Sequence, residues 1–251
     1  MLERLGFKHF AYDWRPKDIP TFDAEIVALQ KHKIDLMAWT FYGDPTHDPV
    51  AQATLEIFKR HQVHPQLWVW AGGAPTKTPE EQEQRVQQQA DWIKSIVDLA
   101  APYGCKVELY NHNNWFGVEE NELAIIDRLK ELGVTDVGMV YNFSHAHDAL
   151  HNDTTHFPEL WKKMQPHVVA VNVTGLGPWN QIIYLTQGDH ELDMMRTIQE
   201  SGWTGPVGLI AEKGGDAEVT LRNYMIGLDW LAAELKQPGS GGPRPFSSAK
   251  Q

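Results

Sequence analysis

The chain has 251 residues, 42% hydrophobic and 22% charged, enough to bury one large core. A formal charge of −11 with its Lys and Arg residues scattered excludes nucleic acid and anionic membrane as partners. The single cysteine, Cys105, excludes an internal disulfide framework, and no apolar run approaches the roughly 20 residues of a membrane span.

The opening run MLERLGFKHF has neither an apolar export segment nor a cleavage site, so a cytoplasmic location is expected, or a periplasmic one if the N-terminus is truncated. FKHFAYDW (7–14) reads as a strand and precedes a helix at TFDAEIVALQKHK, with Thr21 as candidate cap and Phe22, Ile26 and Leu29 as its apolar stripe. KIDLMAWTFYG (33–43) precedes the helical DPVAQATLEIFKRHQ. HPQLWVWAGG (64–73) precedes a long helix that Thr78 caps and Pro79 begins, with two glutamates near the positive end of its dipole. KVELYNHNNW (106–115) precedes VEENELAIIDRLKELG, and DVGMVYNFSHAHD (136–148) precedes HFPELWKKMQPH. HVVAVNVTG (167–175) precedes DHELDMMRTIQESG, and GPVGLIAEKGG (205–215) precedes DAEVTLRNYMIGLDWLAAEL.

These are seven strand–helix units of about 30 residues, the pattern of consecutive parallel crossovers. Open sheet and closed barrel share it. The barrel is preferred because polar and aromatic residues recur at the C-terminal ends of the strands, which in a barrel converge on one mouth. The expected architecture is therefore α/β, a TIM-type (β/α) barrel of seven units spanning 1–235 as one domain. LERLGFKHF reads as the end of a helix followed by a strand, so a first strand is expected to lie upstream, with a homo-oligomer covering the open seam. Residues 236–251, rich in Gly, Pro and Ser, are expected to form a flexible tail.

The strand-end motifs resemble, in order, those of the xylose isomerase-like TIM barrels, the sugar phosphate isomerase/epimerase family. LYNHNNW is similar to the family's Leu-Glu-Asn-His run at the fifth strand and VYNFSHAHD to its Leu-Asp-Thr-Gly-His-Ala run at the sixth. VVAVNVTG is similar to its His-Val-His-Leu-Lys-Asp run at the seventh, and GPVGLIAE to its glutamate-ending eighth strand. The resemblance implies a divalent cation (Mn, Zn, Fe or Mg) held by Glu, Asp, His and Glu. Carried across, three positions fail: Tyr110, Asn142 and Asn172 stand there, and near Ile210 the glutamate falls two residues later, at Glu212. An alternative ligand set is His112, His145, His147 and Glu212, with Asp148 beside it, since imidazole suits borderline metals.

Twelve histidines and ten tryptophans are the unusual counts. Imidazoles move protons and aromatic faces stack on sugar rings. The resemblance and the residues together imply a sugar isomerase or epimerase working by proton transfer on a neutral sugar or keto-sugar. His112, Glu212 and His145 are the candidate acid/base groups. Glu108 joins them if desolvation raises its pKa, the alternative being a buried carboxylate tied to a neighbouring strand's Lys, Arg or Trp. Asp13, Trp14, Trp70, Tyr110, Asn113, Trp115, Asn142 and Asn172 are the candidate substrate contacts. A glycoside-cleaving enzyme, hydrolase or keto-glycoside lyase, and a non-catalytic sugar-binding barrel are the alternatives. VTGLGPW has a Gly-x-Gly without a following helix start, so no nucleotide cofactor is expected.

Overall fold

A computed structural model describes residues 1–246 except 42–46, 113, 150–152, 178–180 and 212–214, and omits the side chains of 147–149. Seven parallel strands alternate with helices, and neighbouring strands follow one another in chain order. This is the expected α/β architecture of seven strand–helix units. The chain divides into two compact units.

The first unit comprises Met1–Tyr110, Asn114–Phe116 and Glu120–Gly138. Its strands β1 (His9–Tyr12), β2 (Asp35–Phe41), β3 (Gln66–Val69) and β4 (Val107–Tyr110) pair in parallel. They are joined by α1 (Phe22–Lys31), α2 (Pro49–His61) and α3 (Pro79–Ala100), and α4 (Glu119–Glu131) follows β4. Helices α2 and α3 start where a short acceptor meets proline: the Asp48 carboxylate accepts from Val50 N before α2, and Thr78 Oγ1 from Glu81 N before α3. Helix α1 differs from expectation. A 3₁₀ turn over Pro16–Thr21 leads into it, and Thr21 Oγ1 donates back to the Asp18 carbonyl instead of capping.

Alternation along the strands sorts their faces. Leu67, Val69, Val107 and Leu109 are buried on one face, while Trp68 and Tyr110 stack on the other with centroids 5.7 Å apart and planes at 11°. Trp39 of β2 anchors the helix side, meeting Phe22 and Phe58 edge-on at 4.7 and 5.1 Å. Cys105 is buried, and desolvation pushes its thiol up to about 12, so it is an inert core residue.

The second unit comprises Asn111–Asn113, Gly117–Glu119 and Met139–Gln251. It holds β5 (Gly138–Asn142, from Met139), β6 (Val168–Val173), the antiparallel pair β7 (Gly175–Leu176) and β8 (Ile182–Ile183), and β9 (Val207–Leu209), which pairs with β6. Its helices are α5 (Phe143–Ala149), α6 (Phe157–Met164), α7 (Glu191–Glu200) and α8 (Ala217–Lys236). Tyr141 is fully buried, stacked on Phe157 at 5.8 Å with Phe143 and Trp161 at its edges.

Two features depart from the reading of the sequence, the helical HAHD run and the attached C-terminal stretch, and a third, the Gly-x-Gly, gains a structural role. The HAHD run is helical from Phe143 rather than an extension of the strand. The Gly-x-Gly at 175–177 makes a hairpin, where a Cβ on Gly175 would lie 2.0 Å from the Tyr184 carbonyl, so glycine is required by backbone approach. Residues 237–246, the described part of the stretch 236–251 read as a flexible tail, are attached by both main-chain and side-chain groups. The Glu234 carboxylate accepts from Gly239 N and Gly241 N at 2.8 Å each, Trp230 Nε1 donates to Gly242 O, and Arg244 donates to Gly188 O. A Gly- and Pro-rich composition hides such attachment because several of its anchors, Gly239 N, Gly241 N and Gly242 O, are main-chain atoms.

Candidate active site

Strand β4 ends at Tyr110, and the following two residues carry the polar cluster of the second unit. Asn111 is fully buried. Its backbone N–H reaches the Val140 carbonyl, and its side chain then does what a further strand residue would do: Oδ1 accepts from Asn142 N at 2.7 Å and Nδ2 donates to Asn142 O at 3.3 Å. A buried amide satisfied on both its donor and its acceptor side carries no desolvation debt.

Asn142, last residue of β5, hands the chain over to α5. Its Oδ1 accepts from Ser144 N and Ser144 Oγ at 3.1 Å each, which supplies an acceptor to the otherwise unsatisfied N–H groups of the first helical turn. That helix presents His145 to His112. The two rings, both half-buried, lie with centroids 4.3 Å apart and planes at 43°. Beneath His112 the backbone is equally constrained, because a Cβ on Gly117 would fall 1.2 Å from the His112 carbonyl oxygen.

Asn172 is buried on β6 in register with Asn142. Its Oδ1 lies 2.6 Å from where a Cβ of Gly208 would stand, so the amide leans across β9 only because that residue is glycine. The amides of Asn111, Asn142 and Asn172, the hydroxyl of Ser144 and the two imidazoles thus line up in one unit.

The remaining candidates separate from this group. In the first unit, Tyr110 is half-buried on Trp68, and Trp70 is half-buried just beyond β3. Trp14 is a packing residue, its Nε1 bound to the Thr40 carbonyl at 2.7 Å and its ring edge-on to Phe22. Asp13 forms an exposed bidentate pair with Arg15 at 2.6 and 2.9 Å. Trp115 is no open stacking platform: it is buried, donates to Gln82 Oε1 at 2.8 Å, and carries the Arg85 guanidinium at 5.3 Å.

Glu108 is buried, and its Oε2 accepts from Gly138 N at 2.7 Å. Burial pushes its carboxyl up to about 7, against the opposing pull of that N–H. Gly138 is the first residue of β5, the end of a barrel strand that serves stability rather than chemistry. The tie is to a neighbouring strand, as the structural alternative expected, but to its backbone rather than to a side chain. Asn113 and Glu212, and the side chains of His147 and Asp148, lie outside the described residues. Sequence reasoning missed Asn111, Ser144, Gly117 and Gly208. Only Asn111 gave a signal, as a polar residue on the opposite face from Tyr110 and His112.

The metal question turns on donor chemistry. Tyr110, Asn142 and Asn172, at the positions of family ligands, bring no charge for a hard divalent ion. The Asn142 oxygen already accepts twice. The family's ligand set does not fit. Among the described residues, no group of three or more His, Cys, Asp and Glu side chains is placed to hold a metal.

No protein-family model matches the chain, and no curated protein sequence does. Solved structures match nearly end to end. The IOLI protein, solved with a zinc atom, is 16% identical with a TM-score of 0.68, over 93% of this chain and 91% of that one. A 3-keto-D-glucoside 4-epimerase from E. coli, in its apo form, is 15% identical with a TM-score of 0.63, over 92% and 90%. A xylose isomerase-like TIM barrel protein from Mycobacterium smegmatis, in complex with magnesium, is 15% identical with a TM-score of 0.55, over 94% and 86%. The fold is therefore that of the xylose isomerase-like TIM barrels. Among the described residues, no helix is long and apolar enough to cross a membrane.

Proposed function

We propose that this protein is a sugar epimerase or isomerase that moves a proton at the carbon next to the carbonyl of a neutral keto-sugar, with His112 and His145 as its acid/base pair. The observation that supports this reading is the contact of the two half-buried imidazoles, 4.3 Å between centroids, at the C-terminal ends of β4 and β5, where barrel folds place their chemistry. Solved proteins of the same fold include the keto-glucoside epimerase named above.

An imidazole that is neutral accepts the carbon-bound proton, and its neighbour as donor stabilises charge developing on the carbonyl oxygen. Glu212 is the candidate third group. Asn142 and Asn172, at the positions of the family's charged ligands, are neutral, which favours hydroxyls over phosphate or carboxylate as the groups recognised. The hydrolase alternative requires two carboxylates flanking a glycosidic bond. Asp13, bound to Arg15, and Glu108, bound to Gly138, are both committed elsewhere.

Two imidazoles are also half of a borderline-metal ligand set, which His147 and Glu212 would complete. In the proposed proton transfer the imidazoles alone carry the proton. Elemental analysis of wild type and His112→Ala measures whether a metal accompanies them. The function itself is tested by incubating the protein in D2O with a panel of free ketohexoses, D-tagatose and D-allulose among them, and with 3-keto-glucosides. Deuterium appearing next to the carbonyl, and lost in His112→Ala, supports the proposal. No exchange on any of them with wild type overturns it.

A further inference from the structure

We infer that Asn111 and Gly117 are the positioning residues that set the His112–His145 pair, an inference that rests on the reading of that pair as the acid/base machinery. Neither residue touches the reacting atoms. Asn111 acts through a chain of four contacts. Its amide holds both the N–H and the C=O of Asn142. Asn142 Oδ1 holds the first turn of α5 through Ser144 N and Oγ. Helix α5 carries His145. His145 meets His112, the next residue after Asn111.

The loop thus closes on itself. One residue fixes its own chain neighbour, His112, by backbone continuity, and fixes the partner imidazole through the adjacent strand. An amide is the side chain that can do this, since it offers a donor and an acceptor in one plane, matching the peptide group it binds. An aspartate would keep the bond to Asn142 N and lose the one to Asn142 O, placing a charge against a carbonyl.

Gly117 works from beneath. With a Cβ only 1.2 Å from the His112 oxygen, any side chain there moves the His112 backbone or its own loop by ångströms. Displacements of about 1 Å at a proton-transfer pair are enough to cost a hundredfold in rate. The effect belongs to kcat, because substrate binding does not depend on the contact between the rings.

The test uses the full-length protein labelled at histidine, with Asn111→Asp and Gly117→Ala as independent variants. Two-dimensional NMR reads the nuclear Overhauser contact between the His112 and His145 ring protons, and deuterium wash-in to the ketose panel reads kcat and KM. In wild type the ring contact is expected. Both variants are expected to lose it while keeping a cooperative melt, with kcat down at least tenfold and KM within about twofold. If Asn111→Asp does not fold, Gly117→Ala alone decides.

A wild type without the ring contact, or variants that keep both the contact and kcat, overturns the inference. If the contact disappears and kcat stays, the positioning stands and the acid/base reading of the pair falls. If wild type exchanges none of the sugars, the NMR contact still decides the positioning while the functional reading fails by itself.

Discussion

The two ends of one strand solve the same problem with different chemistry. At the start of β4, Glu108 reaches over to the first N–H of β5. Just past its end, Asn111 reaches over to the N–H and C=O of Asn142. Both are buried polar side chains substituting for ladder hydrogen bonds. The carboxylate is ionisable and couples the strand start to pH, whereas the amide has no proton to exchange and holds geometry at any pH. A titrating group beside the imidazoles would make their placement depend on the same protons they are proposed to move.

The largest expected effect lies at the strand end. His112→Ala and His145→Ala should each lower the deuterium exchange rate by about 10²–10⁴-fold, with the melting temperature changed little, because both rings are half-buried. Exchange kinetics beside a thermal melt measure this, and retained activity in both variants would break the proposed division of labour.

The second effect lies at the strand start. A carboxyl at about 7 in the fold and near 4.5 unfolded favours the folded state while protonated. Its contribution is intact below pH 4.5 and is lost as pH rises to 7, about 3 kcal/mol in all. Glu108→Gln keeps an acceptor for Gly138 N and cannot ionise. The variant should therefore gain on wild type progressively between pH 4.5 and 7 in urea unfolding, and match it at pH 4.5. Equal pH profiles would show that Glu108 ionises freely.

A third buried carboxylate sharpens the comparison. Glu191 accepts from Leu176 N and Gly188 N through Oε1 at 2.9 and 3.1 Å, and burial raises its pKa while the Arg244 charge pulls it back. Glu191→Gln should give the same sign of pH dependence as Glu108→Gln but a smaller gain, and Arg244→Ala should enlarge it. The same unfolding series measures both.

The smallest effect serves as the neutral reference. Thr78→Ala removes the cap of α3 and should cost a constant ~1 kcal/mol above about pH 6, where the Glu80 carboxyl that Thr78 also holds below its usual range is fully ionised. A pH-dependent loss there would mean that the slopes of the other variants do not report their carboxylates.

Much of this was legible in the chain itself. The order of strands and helices, the caps at Thr78 and Asp48 and the buried runs of β4, β5 and β6 follow from residue periodicity and short-range hydrogen bonding. Both act within a few residues. The polar ends of the strands were legible too, since a buried strand that turns polar has to satisfy those groups somewhere. His112 and His145 stood out for that reason, as did Asn142 and Asn172.

Tertiary structure decided which partner each polar group found. That Asn111 closes the ladder, that HAHD winds into a helix against His112, and that Trp115 turns inward to Gln82 depend on residues about 30 or more positions away. So does the choice of Gly138 N as the partner of Glu108. Side-chain type fixes what a residue can bond, and sequence position fixes its local conformation. Which acceptor stands 3 Å away is set by the packing of strands and helices far apart in the chain, and no local pattern encodes it.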